Sequence, residues 1–354
     1  MSNSPRNKQL FEKKLKFLEG IAKNSYARTT LTALGFNTSK GWLGTQTEIL
    51  NQVFDPNNNQ IMADADDKLA QACKRLHVCN RNITQILTAD SKVMIEVRAL
   101  LSRLQVPSNI YSKNFPFETI GSLTTANIPV LTYIEEQSNG WVMYFSTPKV
   151  CNVPVPVTVT HGGKKMTVMI DEDQKVHAYE VIFVPKDGDR IELRISSDTH
   201  KKQINDCLES LRDVFDNILR VNKISLASMK IVQLEKAIVS LYDQDKYGTV
   251  VDTKFISVKN RTVMPRTTKR STDNCLRDQQ YHKAGEKVEQ VKCIGVKIQF
   301  KKRTTKKNLL VTTKLHLECD PVSDYKTCNY LILDNPIGNT KVIETLDHIL
   351  KSNK

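Results

Sequence analysis

No stretch of the 354 residues approaches the roughly 18 uninterrupted apolar positions of a membrane span, so insertion into a bilayer is not expected. Met1 to Phe17 is basic and amphipathic and lacks the apolar core of a secretory signal, which makes the cytoplasm the expected location. Internal repeats and low-complexity tracts are absent, and 40% hydrophobic residues leave enough for real cores, which excludes wholesale disorder. Motifs that name a reaction are missing too: no GxxxxGK loop, no GxSxG elbow and no HExxH. Gly162-Gly163-Lys164-Lys165 resembles a phosphate loop only superficially, because it falls in a hairpin turn and opens no helix. The eight cysteines include no CxxC pair, and a chain of this length needs no disulfide staples. His316, Cys319 and Cys328 come nearest to a ligand cluster. On a strand, though, 316 and 319 face opposite sides, so buried, inert thiols are expected, with no metal and no cofactor.

What the chain does have is positive charge, unevenly placed. Lys and Arg number 52 against 38 Asp and Glu, a formal net charge of +14. Residues 1–114 hold 16 basic and 9 acidic residues, 115–245 hold 14 and 18, and 246–354 hold 22 and 11. Two windows in the last third contain no acid at all. Thr253 to Thr272 carries Lys254, Lys259, Arg261, Arg266, Lys269 and Arg270. Gln290 to Leu317 carries Lys292, Lys297, Lys301, Lys302, Arg303, Lys306, Lys307 and Lys314. A solvated face normally mixes its signs, because like charges repel. The windows therefore imply an external polyanion, and phosphate backbones fit best, since neutralising them releases condensed counterions.

Hydrophobic periodicity predicts an α+β fold. Leu10, Phe11, Leu15, Leu18 and Ile21 recur at helical steps, and helical texture continues through Thr45–Phe54 and from about Asp66 to Leu104. From Ile128 the period becomes two. Three successive hairpins, turning at Ser138-Asn139-Gly140, His161-Gly162-Gly163 and Lys186-Asp187-Gly188-Asp189, predict an antiparallel sheet of about six strands, a small sandwich or barrel being one form of it. A helical hairpin over 198–242 follows. A second, basic β element comes next, with strands at 250–258, 288–300, 309–317 and 330–333, and a helix over 340–350 closes the chain. The expected domains are a helical one over 1–110 and a β-rich α+β region over 111–354, subdivided near 245.

Within the helical part, residues 69–87 fit a helix-turn-helix: Ala72 and Cys73 are small at the crossing, and Ile83 and Ile86 anchor a second helix. That helix would present Asn80, Arg81, Thr84 and Gln85 to base edges, with Lys74, Arg98 and Arg103 on phosphates. The turn position that favours Gly is His77. Together these features predict a nucleic-acid-binding protein, DNA favoured over RNA, gripping the backbone through the loop Lys259, Arg261, Arg266, Lys269, Arg270 and the tip Lys301, Lys302, Arg303, Lys306, Lys307. No catalytic residue is assigned. Two alternatives remain. In one, Asp252-Thr253-Lys254, with Asp243 and Asp245 upstream, serves a metal-dependent nuclease. In the other, the chain is a non-enzymatic subunit, joining a second copy or a partner through the stripes of 198–242.

Overall fold

The computed structural model describes residues 8–21, 24–54, 57, 64–117, 128–162, 164–197, 199, 201–244, 247–257, 262–266, 275–279, 291–303, 310–320, 323, 326–336 and 338–354. It opens with helices α1 (Lys8–Ile21), α2 (Asn24–Ala33), α3 (Trp42–Phe54) and α4 (Ala65–Cys79), then strand β1 (Asn82–Thr88) and helices α5 (Ser91–Leu101) and α6 (Ile110–Asn114). Strands β2 (Val130–Gln137), β3 (Gly140–His161), β4 (Lys164–Pro185) and β5 (Arg190–Ser196) precede α7 (Ile204–Val221). The chain ends with β6 (Lys230–Ile231), α8 (Glu235–Asp243), β7 (Thr249–Ser257), β8 (Thr262–Val263), β9 (Val291–Arg303), β10 (Leu310–Glu318), β11 (Leu331–Asp334) and α9 (Gly338–Ser352). The fold is α+β, N-terminal helices leading into antiparallel strands, as the periodicity predicts. Among the described residues no helix is long and apolar enough to cross a membrane.

Contacts group the chain into two compact units, one formed by Met1–Thr88 with Lys230–Lys354 and one by Ala89–Met229. The sequence division at residue 110 follows the change of period, whereas the contacts group the first four helices with the last strands. In this split unit the strand order is β1-β11-β10-β9-β7-β8, all antiparallel, and β6 pairs with the end of β1. Burial alternates strictly along β10, where Val311, Thr313, Leu315 and Leu317 are buried and Thr312, Lys314, His316 and Glu318 are half-exposed. One face of this sheet is therefore core. Helix α8 packs on β9 and β10 through Ala237, Ile238 and Leu241, and α9 packs on α8 and α4 through Val342, Leu346 and Ile349. Helices α1 to α4 pack with one another through Phe11, Leu15, Leu18, Leu69, Ala72 and Leu76.

The second helix of the expected helix-turn-helix is strand β1. Asn82 to Leu87 are all buried, Thr84 at 1% and Gln85 at 3% exposure. A strand buried on both faces shows no alternation, so its polar residues look like the outer face of a helix. β-branched Ile83, Thr84 and Ile86 favour the strand.

In the inserted unit the sheet order is β2-β3-β4-β5. All three hairpins form, yet the expected six strands are four, because 141–146 and 155–159 belong to one 22-residue strand and 166–170 and 178–184 to another. Every residue of β3 has a partner in β4, from Gly140 opposite Pro185 to His161 opposite Lys164. Among the described residues this sheet does not close on itself in strand order. The helical hairpin expected over 198–242 divides between the units: α7 packs on β5 through Leu208, Leu211, Phe215 and Leu219, and α8 belongs to the split unit. Most of both stripes is used within the chain, with Ile204, Leu208, Leu211 and Phe215 on α7 and Leu234, Ile238 and Leu241 at α8 buried.

Gly140 shows why the first turn needs glycine. Its φ is +157°, and a Cβ there would lie 2.4 Å from the Val184 carbonyl oxygen and 2.8 Å from the Phe183 ring. Gly140→Ala is expected to lower stability by roughly 1–3 kcal/mol, read as a drop in thermal midpoint. An unchanged midpoint would show that the turn relaxes freely.

Candidate nucleic-acid interface

The half-exposed face of the split unit's sheet gathers its charge by simple strand alternation. On β7 it presents Asp252 and Lys254, on β9 Lys297 and Lys301 with the buried Gln299 between them, on β10 Lys314, His316 and Glu318, and on β11 Asp334. Register aligns them across the sheet: Lys297 stands opposite Asp252 on one side and His316 on the other, and Lys314 opposite Gln299 and Asp334. Lys297 and Lys314 are diagonal neighbours on the β9–β10 pair, close enough to repel. Half-burial, then the like charge of Lys314, pushes the Lys297 ammonium below its ordinary range, with Asp252 pulling the other way and Arg81 adding to the repulsion. A bound anion would relieve this crowding.

Two of the acids on the face, Asp252 and Glu318, are bound up with cations. Arg266 Nε lies 3.1 Å from Asp252 Oδ2, and Lys254 Nζ donates to Glu318 Oε1 at 2.7 Å. His316 Nε2 is 3.4 Å from the other Glu318 oxygen. The hydrogen bond from His316, opposed by burial and reinforced by Lys254, holds the Glu318 carboxyl at about 2. A carboxyl whose folded pKa is depressed contributes stability above its unfolded value and loses it as pH falls through the folded one. Wild-type protein should therefore lose thermal stability between about pH 4.5 and pH 2, and Glu318→Gln should flatten that part of the profile. Parallel profiles for the two proteins would contradict the assignment.

The sequence-predicted interface residues fare differently. Thr84 and Gln85 are buried in β1. Asn80 is half-buried and its side-chain amide donates to the carbonyl of Ile21, tying the end of α4 to the end of α1. None of the three is placed to read a base. Arg81, half-buried, is instead among the cations that act on Lys297. Arg98, expected on a phosphate, donates to the carbonyls of Pro185 and Gly188 and holds α5 to the β4–β5 turn. Arg266 is exposed beside Asp252, and Lys301 is exposed on β9. Lys302 and Arg303 lie in the last two positions of β9, with Arg303 opposite Leu310. Lys259, Arg261, Lys269, Arg270, Lys306 and Lys307 lie outside the described residues. Lys297 and Lys314 were legible in principle, because the alternation that predicts β9 and β10 already places them on the polar side.

Neither other chemical reading gains from the geometry. Asp252 and Lys254 share a face, but one is committed to Arg266 and the other to Glu318. Cys319 and Cys328 are buried, and burial pushes their thiols up to about 11 and about 12, so both stay protonated. Among the described residues no group of three His, Cys, Asp or Glu side chains is arranged to hold a metal ion. No protein-family model, curated protein or solved structure shows a significant match to this chain.

Proposed function

We propose that the protein binds nucleic acid by its phosphate backbone, with the β9–β10 hairpin and the neighbouring edge at β7 and Arg266 as the contact surface. The observation that carries this reading is that the two acid-free windows are neighbours in one sheet: the first begins on β7, the second forms β9 and β10, and β7 pairs with β9. Lys254, Arg266, Lys292, Lys297, Lys301, Lys302, Arg303 and Lys314 thus share one sheet with only three acids, Asp252, Glu318 and Asp334. Such a surface positions a backbone and reads no sequence. The preference for DNA over RNA rested on base reading by residues 80–85. With those side chains buried or tied up, binding is expected to be indifferent to sequence, and DNA and RNA both belong in the test.

A mobility-shift assay on duplex DNA, single-stranded DNA and RNA across a salt series provides that test. The reading requires affinity that falls steeply as salt rises, on at least one of the three. Binding that is absent at low salt, or insensitive to salt, rules it out.

A further inference from the structure

The β3–β4 hairpin is far longer than the sheet that supports it. β2 pairs with β3 only as far as Ser146, and β5 meets β4 at Val181 to Phe183. Over 147–161 and 164–178 the ladder is therefore a two-stranded ribbon, with no third strand among the described residues. A ribbon alone in water is marginal. This one also carries an exposed apolar stripe, since register puts Val157 opposite Val168 and Val159 opposite Met166 on one face, and Ile170 continues it. Val159 is 38%, Met166 51%, Val168 42% and Ile170 52% exposed. Contiguous apolar surface of this kind marks an interaction site.

The two edges of the ribbon are not equivalent. β3 contains Pro148, Pro154 and Pro156, all at even positions, so their missing N–H groups fall on one edge. Because β3 pairs continuously with β4, that edge is the outer one, and proline there protects it from pairing with another strand. β4 has no proline before Pro185. Its outer edge from 164 to 178 is open among the described residues.

We propose that this edge pairs with the same edge of a second copy of the chain, antiparallel about a two-fold axis at Val168, giving a four-stranded intermolecular sheet. The sequence of β4 is charge-inverted about that residue. Val168 would stand opposite itself and Met166 opposite Ile170 of the second copy, which makes the apolar stripe continuous across the axis. Lys165 would take the register position opposite Asp171, and Lys164 that opposite Glu172. Both relations occur twice by symmetry, so four opposite-charge pairs flank the apolar centre. Closed two-fold association of one self-complementary surface is also the commonest form of homo-oligomer.

Sedimentation equilibrium of the full chain without nucleic acid tests the pairing. Wild type should be a dimer at micromolar concentration. Lys164→Glu with Lys165→Asp sets like charges opposite each other at all four positions and should weaken the dimer roughly tenfold or more. Adding Asp171→Lys and Glu172→Lys to that variant should restore it, and Val168→Cys should form a disulfide-linked dimer on mild oxidation. Unchanged far-ultraviolet circular dichroism confirms that each variant is folded. A monomeric wild type, a charge reversal without effect, or a reciprocal swap that fails to restore the dimer each overturns the proposal. None of these readouts depends on nucleic-acid binding, so the two proposals fail separately.

Discussion

Replacing Lys301, Lys302 and Arg303 together by Glu should make the dependence of log affinity on log salt shallower by about 3 and weaken binding to duplex DNA by roughly two orders of magnitude near 0.1 M salt. The slope follows from counterion release, because each cation that neutralises a phosphate of a duplex frees close to one condensed ion. The three residues close β9, just before the tip that continues the acid-free window to Lys306 and Lys307. A uniform loss across sequences is expected, since backbone contacts carry no sequence information. Two outcomes would count against the proposed surface: an unchanged slope, which places the contact elsewhere, and a loss confined to one sequence, which requires base reading that the buried residues of β1 cannot supply.

Glu192→Ala should destabilise the inserted unit by about 3–5 kcal/mol, enough to consume much of the 5–15 kcal/mol typical of a folded domain. Three charged residues alternate on β5 and so share one face: Arg190, Glu192 and Arg194. Arg190 Nε donates to Glu192 Oε1 at 2.8 Å, Arg194 Nε donates to Oε2 at 3.1 Å, and the Arg194 Nη2 group donates to the same oxygen. Glu192 and Arg194 are fully buried, and Arg194 lies 5.0 Å from the centroid of the Phe183 ring. One carboxylate is shared by two guanidinium groups here. Removing it takes from both buried cations the counter-charge they share, and desolvated charge is costly to leave less well paired. The companion variant Arg190→Met, Glu192→Leu, Arg194→Met has no ion to strand and should be more stable than Glu192→Ala, as denaturant titration would show. The opposite order would mean that the triad stabilises the fold outright.

Strands β7, β9, β10 and β11 and helix α9 were all legible to within a few residues, and β7, β10, β11 and α9 each have one wetter and one dry face and so carry a clear period. The hairpin turns were legible as well: Gly140 and Gly162 both adopt positive φ at the positions the turns demand. Strand β1 was not legible. Thr84 and Gln85 are polar, spaced like a helix face and next to a real helix, and only packing against residues distant in the chain makes them interior. The merging of six predicted strands into four has a related cause. Pro148 and Pro154 do not interrupt β3, because proline is tolerated along an outer edge where no donor is needed.

For the candidate interface, composition located the charge and topology brought it together. The acid-free windows are visible by counting, but they are separated along the chain by residues 273–289, and their adjacency comes from the β7–β9 ladder. In the same way, the sequence of β4 contains the charge inversion about Val168. It becomes a surface only because β3 covers one edge of the strand and, among the described residues, the other is left open. By itself the sequence determined the α+β class, the hairpins and the sign and location of the charge, since these depend on local period and composition. Tertiary structure decided which strand lies in the interior, which helices share a unit and which cations become neighbours, because those depend on pairings between residues far apart in the chain.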